Sequence, residues 1–214
     1  MIQSEVWLRG FLDVPSLYTF SKIAEIFSDI FSLSLTEDLS RPYEDAPSYS
    51  AEVLGLKVVL IGIPEGIEAV NVYSLRVFPV DELECVYKPK KINIASFIAA
   101  VVSSRSDLVE KTKTDIRLKA SFNFTQKFSL AETAEKLNQA LSFSLQKANL
   151  ESVPFASYKT KVFGFHISLF EAKDSYIFSV SPDDDVSFED IADDVDFSSS
   201  IMSVVGVKSD LKFK

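Results

Sequence analysis

The sequence predicts an α+β fold: a tandem duplication of a β-α-β-β-β-α unit, with antiparallel sheets and the helices on one face. Three observations predict it. A shift of 110 residues lays 6–10 onto 116–120 and 21–35 onto 131–145, with Leu8, Ala24, Glu25, Ser32, Ser34 and Leu35 identical to Leu118, Ala134, Glu135, Ser142, Ser144 and Leu145. Further blocks then recur in the same order: 47–49 near 154–158, 55–58 on 164–167, 75–79 near 177–182 and 98–102 on 201–205. Within each copy, apolar residues switch between the two-residue period of strands and the 3.6-residue period of helices.

The elements follow in order. A strand over 4–12, and its counterpart over 115–124, alternates apolar and polar residues. A helix over 16–30 places Phe20, Ile23, Ala24, Phe27, Ile30 and Phe31 on one face, and Leu130, Ala134, Leu137 and Leu141 do the same over 128–141. Strands are expected at 32–35 and 142–145, followed by a polar loop. A hairpin comes next, 48–54 and 56–63, with Gly55 supplying the positive φ of a tight turn. A strand over 70–78 stops at Pro79, and a helix over 92–104 closes the unit by burying Ile94, Phe97, Ile98, Val101 and Val102. The polar stretch 104–114 reads as a linker between repeats at 1–103 and 115–214.

Hydrophobic residues make up 47 % of the chain and 18 residues are Phe, enough to bury a sizeable core. No apolar run reaches the length of a membrane-spanning helix. The opening MIQSEVWLRG lacks the basic start and apolar region of a secretory leader, and Cys85 is the single cysteine, so a cytoplasmic location without disulfides is expected. Net charge is −9, unevenly spread: −9 over 1–87, +6 over 88–127 and −6 over 128–214. Such an acidic chain repels nucleic-acid phosphate and anionic lipid and attracts basic proteins.

No motif carries catalysis, so a non-enzymatic role without metal or cofactor is expected. His166, the only histidine, alternates with Phe165 and Ile167 in a strand and corresponds to Lys57 in the first copy, which reads as a solvent-facing position. Glu82 and Glu84 would raise the pKa of Cys85 rather than activate it. The acidic run over 181–197 lacks calcium-loop spacing, and Asp183–Asp185 are expected ahead of a short helix, where carboxylates suit the N-terminus. Lys88, Lys90 and Lys91 form a short basic patch, too small for a nucleic-acid site.

Partner-binding residues are expected in two places. The loop 36–49 mixes Glu37, Asp38, Glu44 and Asp45 with Tyr43 and Tyr49, the composition of interface hot spots, stiffened by prolines. The second is the acidic run, with Asp183, Asp184, Asp185, Asp193 and Asp194. In size, acidity, Ser/Phe-rich strands and duplicated α+β unit, the chain resembles in type the immunity proteins of bacterial toxin–immunity systems. That resemblance implies a cytosolic protein, monomeric with internal pseudo-symmetry, that neutralises a cognate basic toxin, often a nuclease, by covering its active site. The alternatives are a secretion chaperone or another non-catalytic protein-binding module. An enzyme built on scattered carboxylates ranks last.

Overall fold

The computed structural model describes residues 6–15, 17–39, 43, 46–64, 72–80, 89–148 and 156–214. Glu44, Asp45, Cys85 and Lys88 lie outside them. The first copy runs β1 (Val6–Pro15), α1 (Phe20–Phe31), β2 (Thr36–Glu37), β3 (Ser48–Val53), β4 (Leu56–Ile61), β5 (Val72–Pro79), β6 (Lys90–Asn93) and α2 (Ala95–Arg105). The second repeats it: β7 (Thr114–Phe124), α3 (Leu130–Leu141), β8 (Gln146–Lys147), β9 (Ser157–Val162), β10 (Phe165–Ala172), β11 (Ser175–Pro182), β12 (Phe188–Asp196) and α4 (Ser198–Lys208).

Each copy forms one six-stranded sheet. The strand orders, β2-β3-β4-β5-β1-β6 and β8-β9-β10-β11-β7-β12, are the same, which is what duplication requires. Small details repeat too. Leu54-Gly55 and Phe163-Gly164 both turn their hairpins at positive φ. Both α1 and α3 end on a left-handed serine, Ser32 and Ser142. The amide of Ile94 donates to Arg9 O and that of Phe197 to Lys119 O, at 2.7 and 3.0 Å.

Four expectations are corrected. Each unit runs β-α-β-β-β-β-β-α rather than β-α-β-β-β-α, because the two-residue β2 and β8 and the edge strands β6 and β12 also join the sheets. The sheets are mixed rather than wholly antiparallel, because β6 and β12 run parallel to β1 and β7. The strands expected at 32–35 and 142–145 are helix ends and coil, and the short β2 and β8 begin just beyond them. No helix follows Asp183–Asp185: that stretch enters β12, an edge strand with a register shift between Phe188 and Asp193. Edge strands are wetted on several sides and so lack the apolar alternation that marks a strand in sequence.

The two copies share one hydrophobic core. Their contact is reciprocal. The Leu54 amide donates to Leu141 O at 2.9 Å, and the Phe163 amide donates to Phe31 O at 2.7 Å, so each hairpin turn satisfies an orphan carbonyl at the end of the other copy's helix. Phe31 packs on Phe163 and Phe97 on Phe165, each at 4.9 Å between ring centroids. The connecting segment is anchored as well, with Leu108 buried and the Thr112 amide donating to Ser103 Oγ at 3.3 Å.

Ion pairs reinforce the same seam. Arg105, at the end of α2, donates to Asp183 at 2.9 Å, to Asp185 at 2.7 Å and to Ile30 O at 2.6 Å. Lys161 donates to the other Asp183 oxygen at 2.5 Å. Burial alone would raise the Asp183 pKa. The Lys161 hydrogen bond, the Asp184 amide and the charges of Lys161 and Arg105 outweigh it and hold the carboxyl below its ordinary value. A depressed carboxyl contributes stability above its unfolded pKa and loses it as pH falls through the folded one. Asp183→Asn is therefore expected to cost about 2–3 kcal/mol near neutrality, since it leaves Arg105 short of a partner at a partly buried site. In urea titrations that difference should shrink as pH drops below the ordinary carboxylate range. A difference unchanged with pH would show that charge is not what Asp183 contributes.

Candidate binding face on the first sheet

Cross-strand partners in a sheet share a face, so the register sorts the side chains. On β1, Leu8 and Val14 enter the core, which turns Trp7, Arg9, Phe11 and Asp13 to the other side. On β5, Tyr73, Leu75 and Val77 are buried, which turns Ser74, Arg76 and Phe78 outward. Phe11 lies directly opposite Arg76, and Arg76 opposite Val59 of β4. Trp7 lies opposite Lys91, and Arg9 opposite Asn93 of β6. Phe11 is 60 % exposed, beyond the last residue of β1 that pairs with β6, a high value for so large an apolar side chain.

Tyr43 and Ala46 lie on this outer face. Tyr43 and Phe78 pack on Ala46, Val59 and Ile61 as a small second core, fixed by the Ala46 amide donating to Tyr43 O at 2.8 Å and the Gly62 amide donating to Pro47 O at 2.7 Å. This cluster sits over Val59 and Ile61 of β4, beside β5 and β1. The result is a groove of about 780 Å³ whose walls include Arg9, Phe11, Tyr43, Arg76, Phe78 and Lys91. Desolvation raises the Tyr43 pKa, opposed by the nearby Arg76 and assisted by Asp38, so the phenol stays a neutral hydrogen-bonding group. Arg76, Lys90 and Lys91 form no ion pair among the described residues.

The second copy provides an internal comparison. The row Val59–Arg76–Phe11 corresponds to Ser168–Ser179–Ser121, and Phe78 corresponds to Ser181. Lys90 and Lys91 correspond to Asp193 and Asp194. There Asp194 pairs with Lys119 at 2.5 Å and lies 3.7 Å from Arg117, and the Lys119 hydrogen bond leads the lowering of its pKa. The same fold thus carries an aromatic, cationic outer face on one sheet and a serine-rich, internally neutralised one on the other.

Of the described residues expected to meet a partner, Tyr43 alone lines this groove. Tyr49 turns to the opposite side and packs edge-on against Phe20 at 5.3 Å. Glu37 is exposed on β2, and the Asp38 amide is engaged with Ser48 O at 2.8 Å. Asp183 is only 5 % exposed and is committed with Asp185 to Arg105, while Asp184 and Asp193 face solvent. Phe11, Arg76 and Phe78 went unread, although the alignment of 75–79 with 177–182 already showed an Arg and a Phe facing two serines.

A second cleft of about 630 Å³ lies between the copies and is lined by Ser32, Ser34, Asn138, Ser142 and Ser144. Its charged side chains are engaged: Lys161 with Asp183, and Glu52 with Lys208 at 3.5 Å. Among the described residues no helix is long and apolar enough to cross a membrane, and no group of three or more His, Cys, Asp or Glu is placed to hold a metal ion. His166 is part-exposed on β10, in register with Lys161 and Ser181. No protein-family model matches the chain, and neither a curated protein nor a solved structure matches it.

Proposed function

We propose that this chain is a non-catalytic protein-binding module, an inhibitor of the immunity-protein kind, that meets its partner with the outer face of the first sheet. One observation carries the reading. Duplication starts from two equal faces, and here the Val59–Arg76–Phe11 row stands against Ser168–Ser179–Ser121 in the same register. Keeping the fold requires neither face to be aromatic, since the second copy has the same strand order with serine at those positions. Exposed aromatic and guanidinium groups side by side are the composition that concentrates binding energy at interfaces. In this reading Tyr43 meets the partner beside Arg76, and the partner's docking segment carries carboxylates.

The test is coexpression with the protein encoded by the adjoining reading frame, followed by gel filtration and an assay of that protein's toxicity. A complex that suppresses toxicity is expected. Phe11→Ser, which installs the second copy's residue, is expected to weaken it by about 2 kcal/mol if Phe11 is a hot spot. The matching change Ser121→Ala on the second sheet should leave it intact. A complex indifferent to Phe11 would move the interface elsewhere, and absence of any complex would remove the inhibitor reading.

A further inference from the structure

We infer that the groove on the first sheet receives an acidic peptide segment, its carboxylates held by Arg76 and Lys91 and its apolar side chains laid on Phe11 and Phe78. This rests on the protein-binding reading above and specifies what the partner presents. The argument begins with spacing. Arg76 faces Phe11 across the strands, and Arg9 and Phe78 stand one residue beyond the Gly10–Val77 pair. Arg9 and Phe11 alternate along β1 as Arg76 and Phe78 do along β5, so guanidinium and ring alternate in both directions, like the squares of a board. Lys91 continues the positive side onto the terminal strand β6.

A small anion would engage the cations and leave two rings in water. A purely apolar segment would strand the Arg76 guanidinium under a dry surface, at high desolvation cost. A chain that offers carboxylates and apolar groups in turn satisfies both. Planar guanidinium forks suit carboxylates bidentately and also stack on aromatic faces. Charge decides between peptide and nucleic acid. The whole chain carries −9, and Asp13 lines the same groove, so a polyphosphate would be repelled just outside a narrow positive strip. An acidic peptide of low charge density meets that strip without extending beyond it.

The test is fluorescence anisotropy on the full chain with three labelled probes: a short peptide of glutamate and phenylalanine, the same peptide with lysine for glutamate, and a single-stranded oligothymidylate. The glutamate peptide is expected to bind, more weakly as salt rises, with little binding of the other two. Arg76→Glu and Phe11→Ser should each weaken it about tenfold or more. Lys159→Glu, on the second sheet, should change it less than twofold. Circular dichroism of each variant guards against misfolding, since all three positions are at least part-exposed. No binding of the glutamate peptide, equal binding of the lysine peptide, or insensitivity to Arg76→Glu overturns the inference. Tighter binding of the oligothymidylate overturns it in favour of nucleic acid. A complex with the neighbour-encoded protein that depends on Phe11, combined with no binding of the glutamate peptide, keeps the protein-binding reading and removes this one. The opposite pair of results keeps the groove's chemistry and removes the inhibitor.

Discussion

Gly164→Ala is expected to destabilise the protein by about 2–5 kcal/mol, and Gly55→Ala comparably, which is large for adding one methyl group in a hairpin turn. Two costs combine. Both glycines hold positive φ, +76° and +77°, where an L side chain costs about 1–2 kcal/mol. The added Cβ also has no room. At Gly164 it would press into Val101 Cγ2 of α2, and at Gly55 it would lie 2.5 Å from Val204 Cγ2 of α4. Val101 and Val204 are β-branched and hold few rotamers in a helix, and Val101 is fully buried. Overpacking of that kind costs about 1–3 kcal/mol. A double-mutant cycle with Val101→Ala separates the two. The steric share should be recovered, with a coupling of about 1–2 kcal/mol, and the backbone share should remain. A Gly164→Ala effect near 1 kcal/mol with no coupling to Val101 would mean that the turn is not seated on the other copy's helix.

Those contacts mark the boundary of what the sequence revealed. The duplication was legible because it lies in the buried pattern, and burial is what a period of two or 3.6 reports. Ile23, Ala24, Phe27, Ile30 and Phe31 of α1, and Leu130, Ala134, Leu137 and Leu141 of α3, are all buried as the spacing implied. The hairpin glycines were legible as turns. Their second role, making room for the other copy's helix, involves residues far apart in the chain and leaves no local trace. The edge strand β12 was missed because an exposed acidic run such as Phe188–Asp196 carries no apolar alternation. A fourth signal went unused: Ser129 and Glu132 form a full capping box on α3, with reciprocal bonds of 3.2 and 2.9 Å, and serine followed three residues later by glutamate marks a helix start.

The binding face shows the same limit from the other side. Charge counting found the positive stretch over 88–127 but could not tell that its β6 end joins Arg9 and Arg76 on one face. It also credited Asp183 to the surface, whereas Arg105, close to 80 residues away in sequence, draws it into the seam; Asp185 pairs with the same arginine and stays exposed. Paired carboxylates look alike in sequence whether they meet a partner protein or an internal arginine. The copies' differences were the better guide, because the shared fold cancels and the changed residues remain.

Phe163→Ala is expected to cost about 3–5 kcal/mol, and its effect should appear in the copy that was not mutated. Phe163 is 1 % exposed, with its ring 4.9 Å from Phe31 and 6.2 Å from Phe165 between centroids. Truncating it opens a cavity at the seam, where the first copy's α1 and the second copy's hairpin meet. Trp7 is the only tryptophan and sits on β1, so its fluorescence reports the first copy. Far-UV circular dichroism reports both. If the shared core makes the copies one cooperative unit, urea unfolding followed by either signal gives a single coincident transition. Phe163→Ala then lowers both midpoints together while the slope stays the same. Independent copies predict another outcome: dichroism splits into two steps and the Trp7 midpoint stays where it was. That outcome would mean the aromatic seam joins two self-sufficient domains. Coincident shifts would mean that neither copy holds its fold without the other, which follows from packing Phe31 on Phe163 and Phe97 on Phe165 across the seam.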